Sequence, residues 1–152
     1  MGLGDALRRL VAPHPAGAPN LLKSFDEEVA AAGGVVGRAD AGYQVVATAD
    51  VVGSLDRWRT LRRDFLPLDG SVTARHRRVA EAMREGKALP PLELYAVRSR
   101  GSRASERLPG EYYVVDGHHR VAMARRLGQD FLDAHVVEYR VAATGDRPAT
   151  VG

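Results

Sequence analysis

Two things are missing from this 152-residue chain: cysteine, and any long apolar run. Without cysteine there are no disulfides, no thiolate nucleophile, no iron–sulfur ligation and no cysteine zinc site. That composition is compatible with the cytoplasm, which is the location expected. No run approaches the length of a membrane span, and the N-terminal stretch MGLGDALRRLVAPHP lacks the apolar core of a signal peptide, so no membrane partner is expected. Net charge is also scarce. Lys and Arg number 22 against 19 acids, for a formal +3 and a pI near 9.6. A balance this mild does not by itself indicate nucleic acid. No internal repeat is visible, and no HExxH-type metal spacing occurs.

What remains is ordinary for a soluble domain. The chain is 45% hydrophobic and 27% charged, and long enough to bury a core without covalent staples. Residues 1–12 carry Leu3, Leu7, Leu10 and Val11 at the spacing of a short amphipathic helix, and PHPAGAP (Pro13 to Pro19) interrupts it. Asn20 is placed to cap a second helix with Leu21, Leu22, Phe25 and Val29 on one face, stopped by Gly33-Gly34. Those apolar residues suit a core or a self-association surface, so a homodimer stays open. The expected division is an N-terminal helical arm over 1–42, a domain over 43–141 and a frayed tail over 142–152.

Within the domain, Tyr43 to Thr48 predicts a strand and ADVVGSL a turn or short helix. Trp58 to Phe65 predicts a helical turn. Thr73 to Glu85 predicts a helix with Val79, Ala82 and Met83 on its apolar side and Gly86 as its stop. LPPLELYAV (Leu89 to Val97) predicts a strand, its two prolines fitting only an edge or a strand start. A polar basic loop, RSRGSRASERLPG, leads to the strand EYYVVD. A helix to Gly128 and a last strand over Phe131 to Val141 follow. The fold class expected is α+β, a small mixed sheet with flanking helices.

The most informative stretch is YYVVDGHHRVAMARRLGQ (Tyr112 to Gln129), where an apolar run stops at Asp116-Gly117 and a helix pattern begins at His118 or His119. The first N–H groups of a helix lack intrahelical partners, and the helix dipole adds positive potential there. Such a junction suits an anion. Gly117 lets a ligand approach the backbone. His118, His119 and Arg120 add donors, and the Arg120 fork can hold phosphate through two parallel bonds. Adjacent helix residues point about 100° apart, so His118 and His119 are poorly placed to grip one ion together. Asp116 can hold a magnesium ion that already bridges phosphates. Spacing alone fits a blander arrangement as well: an Asp-Gly turn, His119 packed on the sheet and Arg120 paired to an acid.

The composite order is more specific. AEAMREGKALPPLELYAV, then YYVVDGHHRVAMARRLG, then DAHVVEY resembles the ParB/sulfiredoxin-like superfamily, over about Val45 to Tyr139. The resemblance implies that fold and several alternative chemistries. In sulfiredoxins the motif is G-C-H-R; Gly117, His119 and Arg120 match, but His118 stands at the cysteine, which excludes sulfinic-acid reduction. ParB proteins carry a motif near G-E-R-R on a cytidine triphosphate; Gly117 and Arg120 match. Free-serine kinases carry D-G-H-T-R; Asp116, Gly117, His118 and Arg120 match, with Asp50 and Asp56 the only acids near the region of their catalytic glutamate. The resemblance implies a nucleotide (ATP, ADP or CTP) or another phosphorylated small molecule as ligand, with Mg2+ as accompanying ion. It makes Asp116 and His118 the candidate catalytic residues and Gly117, His118, His119 and Arg120 the phosphate ligands. Any reaction would be phosphotransfer or phosphate-ester hydrolysis. The partitioning proteins also continue into a DNA-reading domain, which this chain is not long enough to include, so a standalone partitioning role is not expected.

Two basic clusters supply a rival reading as a nucleic-acid-binding or nuclease module. The loop carries Arg100 and Arg103, and Trp58 sits among Arg57, Arg59, Arg62 and Arg63. The alternatives are a solvated hairpin tip and a packed helix through Trp58, Leu61 and Phe65 with a charged outer side. Weak, sequence-independent nucleic-acid contact is the most that the charge supports. A partner-binding scaffold without catalysis is the third reading.

Overall fold

A computed structural model of the chain describes residues 21–99 and 111–142. The elements are β1 (Lys23–Ser24), α1 (Phe25–Ala31), β2 (Val35–Ala47), a 3-10 turn (Thr48–Asp50), β3 (Val51–Ser54), α2 (Ala74–Arg84), β4 (Leu92–Ser99), β5 (Glu111–Asp116), α3 (His118–Leu127) and β6 (Phe131–Val141). The strands form one six-stranded sheet in the order β1-β3-β5-β4-β6-β2. It is mixed: β1 with β3, β3 with β5 and β4 with β6 run parallel, while β4 with β5 and β2 with β6 run antiparallel. The α+β class expected from the sequence is what the chain adopts. No described helix is long and apolar enough to cross a membrane.

Alternation along the strands sets the two faces. Leu92, Leu94 and Ala96 of β4 join Leu132, Ala134 and Val136 of β6 in the main core, with Val121, Ala122, Met123 and Ala124 of α3 and Ala80 of α2 above them. On the opposite face Phe25 of α1 meets the rings of Tyr95, Tyr113 and Tyr139 edge-on, with centroids 5.1–5.6 Å away. Gly53 makes the close approach of β3 possible there, since a Cβ would lie 2.4 Å from the Tyr113 ring and 2.5 Å from the Lys23 carbonyl oxygen.

Local chemistry explains the helix starts. Thr73 Oγ1 accepts the His76 N–H, and the Thr73 N–H donates to His76 Nδ1, a capping box with histidine in the place of an acid. Ser24 Oγ accepts the Glu27 N–H, and Asp26, Glu27 and Glu28 complement the dipole of α1. The prolines at 90 and 91 precede β4 directly, so a strand central in the sheet starts where its amides are first needed.

Several expectations are corrected. Strand β2 runs on both sides of Gly42: β1 pairs with β3, and β2 pairs with β6 from Val35 onward, so Lys23–Ser24 and residues 35–42 lie in the same sheet as the later strands. The helix expected from Asn20 begins at Phe25, because Ser24 is the residue with a free hydroxyl and an extended backbone. ADVVGSL contains a strand, β3, after its 3-10 turn. The segment Trp58 to Phe65 is a series of turns. Phe65 lies at φ +67, outside the helical region, and the Asp64 carboxylate accepts from Leu66 N–H. Its apolar residues do pack: Leu61 and Phe65 are buried, with Trp58 against them. Residues 1–20, the loop over 100–110 and the tail from 143 lie outside the described residues, and so do the expectations for them.

Candidate functional site

β5 ends at Asp116 and α3 begins at His118, with Gly117 between them at φ +112 and ψ 22. A side chain at 117 would be strained there, and its Cβ would meet Leu92 Cδ2 at 2.4 Å. No side chain caps the helix; the Gly117 carbonyl accepts from the N–H groups of Arg120 and Val121. The amides of His118 and His119, ahead of these, are left for solvent or a ligand.

The two histidines diverge, as their helical angle requires. His118 turns inward: it is 9% exposed, and its Nε2 lies 2.7 Å from Ser54 Oγ, which also accepts the Arg57 N–H. Burial pushes its pKa down to about 4, so the ring is neutral across the physiological range. It fastens the start of α3 to the end of β3. His119 turns toward α2, its ring 4.5 Å from that of His76. Burial lowers its pKa first, and the nearby His76, Arg75 and Arg57 lower it further.

The junction forms one wall of a cleft of about 320 Å³, lined by Arg57, Arg75, Val79, Leu89, Pro90, Pro91, Leu92 and Asp116 to Arg120. Three arginines face a single carboxylate. Among the described residues, none of Arg57, Arg75 and Arg120 has an ion-pair partner. Arg120 Nη1 donates to the Pro90 carbonyl at 2.6 Å, and its Nε is enclosed with no hydrogen-bond partner. Burial lowers the Arg120 pKa, and Asp133 offsets part of that effect. A half-buried guanidinium with no ion pair gains from an incoming anion. Among the described residues no group of three His, Asp or Glu is placed to hold a metal ion. Asp116, exposed at the cleft lip, is the one carboxylate residue that lines the cleft among the described residues.

No protein-family model matches the chain, and no curated protein matches it in sequence. A solved structure is similar: the C2221 form of a Pnob8-like ParB-N domain, with a TM-score of 0.37 and 16% identity, over 74% of this chain and 34% of that one. The match thus spans about a third of that protein's length. A likeness of this degree carries no functional argument, and the chain's own geometry has to supply it.

That geometry brings Asp116, Gly117, His119 and Arg120 to one cleft and withdraws the His118 Nε2 into a structural contact. It adds Arg57, which the sequence shows only as one of the arginines around Trp58, together with Arg75 of α2 and Pro90, whose carbonyl orients Arg120. Nothing local marks these three. Only the packing of α2 against α3 and the turn after β3 brings them in. Asp56 lies near enough to act on the His118 charge, whereas Asp50 precedes β3 at the other end of α3, where Arg125 Nη2 donates to the Val51 carbonyl. Trp58 is half-buried against the core, with the Arg59 guanidinium 4.7 Å from its ring centre. Arg100 and Arg103 lie outside the described residues.

Proposed function

We propose that the cleft binds the phosphate end of a nucleotide (ATP, ADP or CTP) or of another phosphorylated small molecule. The observation that carries the reading is the convergence of Arg57, Arg75 and Arg120, three guanidinium groups without acid partners among the described residues, on an uncapped helix start. In this reading the amides of His118 and His119 and the Arg120 fork hold phosphate oxygens, and Arg57 and Arg75 neutralise charge. Val79, Leu89 and Pro91 give the cleft an apolar side for the organic part of the ligand. Asp116 would share a magnesium ion with the phosphates.

The cleft serves first as a binding site. For phosphotransfer or ester hydrolysis, Asp116 and His119 are the acid–base groups it offers. His118, which the sequence motif nominates as catalytic, is held neutral on Ser54 and acts by positioning. The nucleic-acid reading has less behind it: Trp58 packs on the core rather than offering an open stacking platform.

Calorimetric titration with ATP, ADP and CTP, with and without magnesium, tests the reading. Arg120→Ala should weaken the best ligand by about 1.5–3 kcal/mol, roughly tenfold or more, with the fold retained. Arg120→Lys should recover part of this, since an ammonium keeps the charge but not the fork. Equal affinity in Arg120→Ala and the parent would contradict it.

A further inference from the structure

We infer that the cleft selects doubly charged phosphomonoester groups over phosphodiesters, and that it does so by taking up a proton on His119 when the anion binds. The inference rests on the phosphate-site reading and adds to it the charge state of the ligand.

The geometry around His119 motivates it. α2 contributes Arg75 and His76, the latter with its ring 4.5 Å away. His76 Nδ1 accepts the Thr73 N–H, so any proton of that ring sits on Nε2. The turn after β3 contributes Arg57 and, behind it, Asp56, which acts on His118. β5 contributes Asp116, and α3 itself contributes His118 and Arg120. Leu89 to Leu92 contribute no titratable group, and the Asp133 carboxylate of β6 acts on Arg120. The cleft is therefore rich in positive charge: burial lowers the His119 pKa most, and the charges of His76, Arg75 and Arg57 lower it further. A dianion changes that balance. Its two charges compensate the arginines, and the imidazolium becomes an additional donor. A diester carries one charge, leaves the cleft net positive and gives His119 less reason to accept a proton. The phosphate backbone of a nucleic acid is such a diester, so the same chemistry ranks it below a terminal phosphate.

The pH sign follows from linkage. His119 has a higher pKa in the complex than in the free protein, so the complex binds more protons between the two values and affinity rises as pH falls through the bound-state pKa. A phosphomonoester titrates near pH 6 itself, which blurs the effect. Sulfate keeps both charges throughout the neutral range and isolates the protein's contribution.

The experiment is titration calorimetry of the whole chain with sulfate between pH 8 and 6, in buffers of different ionisation enthalpy, beside methyl phosphate and dimethyl phosphate at pH 7.5. The expected results are net proton uptake with sulfate, an affinity that rises by up to about tenfold per pH unit, the slope of one linked proton, and methyl phosphate bound more tightly than dimethyl phosphate. In His119→Gln, with its melting temperature checked, the proton uptake and the pH slope should vanish while weaker anion binding persists. Sulfate binding without proton uptake, or equal affinity for the two methyl esters, overturns this inference and leaves the phosphate site standing. Failure of all three anions to bind overturns both.

Discussion

At the residue scale the informative contrast is between neighbours. His118 and His119 are adjacent, yet one is a buried tie to Ser54 and the other a cleft residue. The buried tie has a pH signature. In the unfolded chain His118 titrates near 6.5, and in the folded protein at about 4. Between those values the unfolded chain binds more protons, so stability is complete above pH 6.5 and is lost as the pH falls toward 4, by up to about 3 kcal/mol. Thermal unfolding from pH 7.5 to 4.5 should show this fall, and His118→Asn should show a shallower one from a lower starting point. Parallel curves would assign the acid sensitivity to other groups. The sequence motif singled out both histidines but could not separate their surroundings. A 100° step between helix positions says that they diverge, and only the location of Ser54, 64 residues away, says which one points inward. Arg57 and Arg75 were harder still, because a cation with no local partner looks the same on a solvated face as on a cleft wall.

At the element scale, legibility followed length and local chemistry. β5, α3 and β6 were readable to within a residue, because an apolar run, a glycine at each end of the helix and a 3.6-residue pattern agree. α2 was readable from Thr73 and Gly86. β1 and β3, two and four residues long, were not, because parallel pairing to a distant strand leaves no local signature. Trp58 to Phe65 misled, because helical spacing of apolar residues also arises in a turn whose Phe65 faces the core from a left-handed backbone. One substitution tests the packing of these short strands. Gly53→Ala would drive a methyl group against the Tyr113 ring and the Lys23 carbonyl, both held by neighbours. It should cost on the order of 1–3 kcal/mol in urea unfolding. A neutral result would mean that β1 is only loosely docked.

At the scale of the whole molecule, the sheet presents two different faces. One carries α2, α3 and the cleft. The other is covered by Phe25 at its centre, while Tyr43, Val45 and Phe131 are exposed toward the β2 edge. There His135 bridges Glu93 and Asp40, at 2.8 and 2.9 Å, and ties β4, β6 and β2 together. Its hydrogen bonds to Glu93 and Asp40 raise its pKa. That contribution is present below the unfolded value of 6.5 and is lost as pH rises through the folded one. Amide exchange in β2 should therefore quicken as pH rises through the His135 pKa by more than the intrinsic rate, and His135→Phe should remove the excess. For nucleic acid, the mild net charge predicts only weak binding that falls steeply with salt, as counterion release requires. Tight, sequence-specific retention of one duplex at physiological salt would contradict that.

The central claim is that a phosphate group sits against the first turn of α3. The most direct measurement is a titration of inorganic pyrophosphate, then of the best nucleotide, into 15N-labelled protein, following every backbone amide. The account predicts that the largest shifts fall on Gly117, His118, His119 and Arg120, with smaller ones on Arg57 and Arg75, and that Arg120→Ala weakens the same response by about tenfold. Shifts confined to other regions, such as the exposed β2 edge, or no response at millimolar ligand, would contradict it.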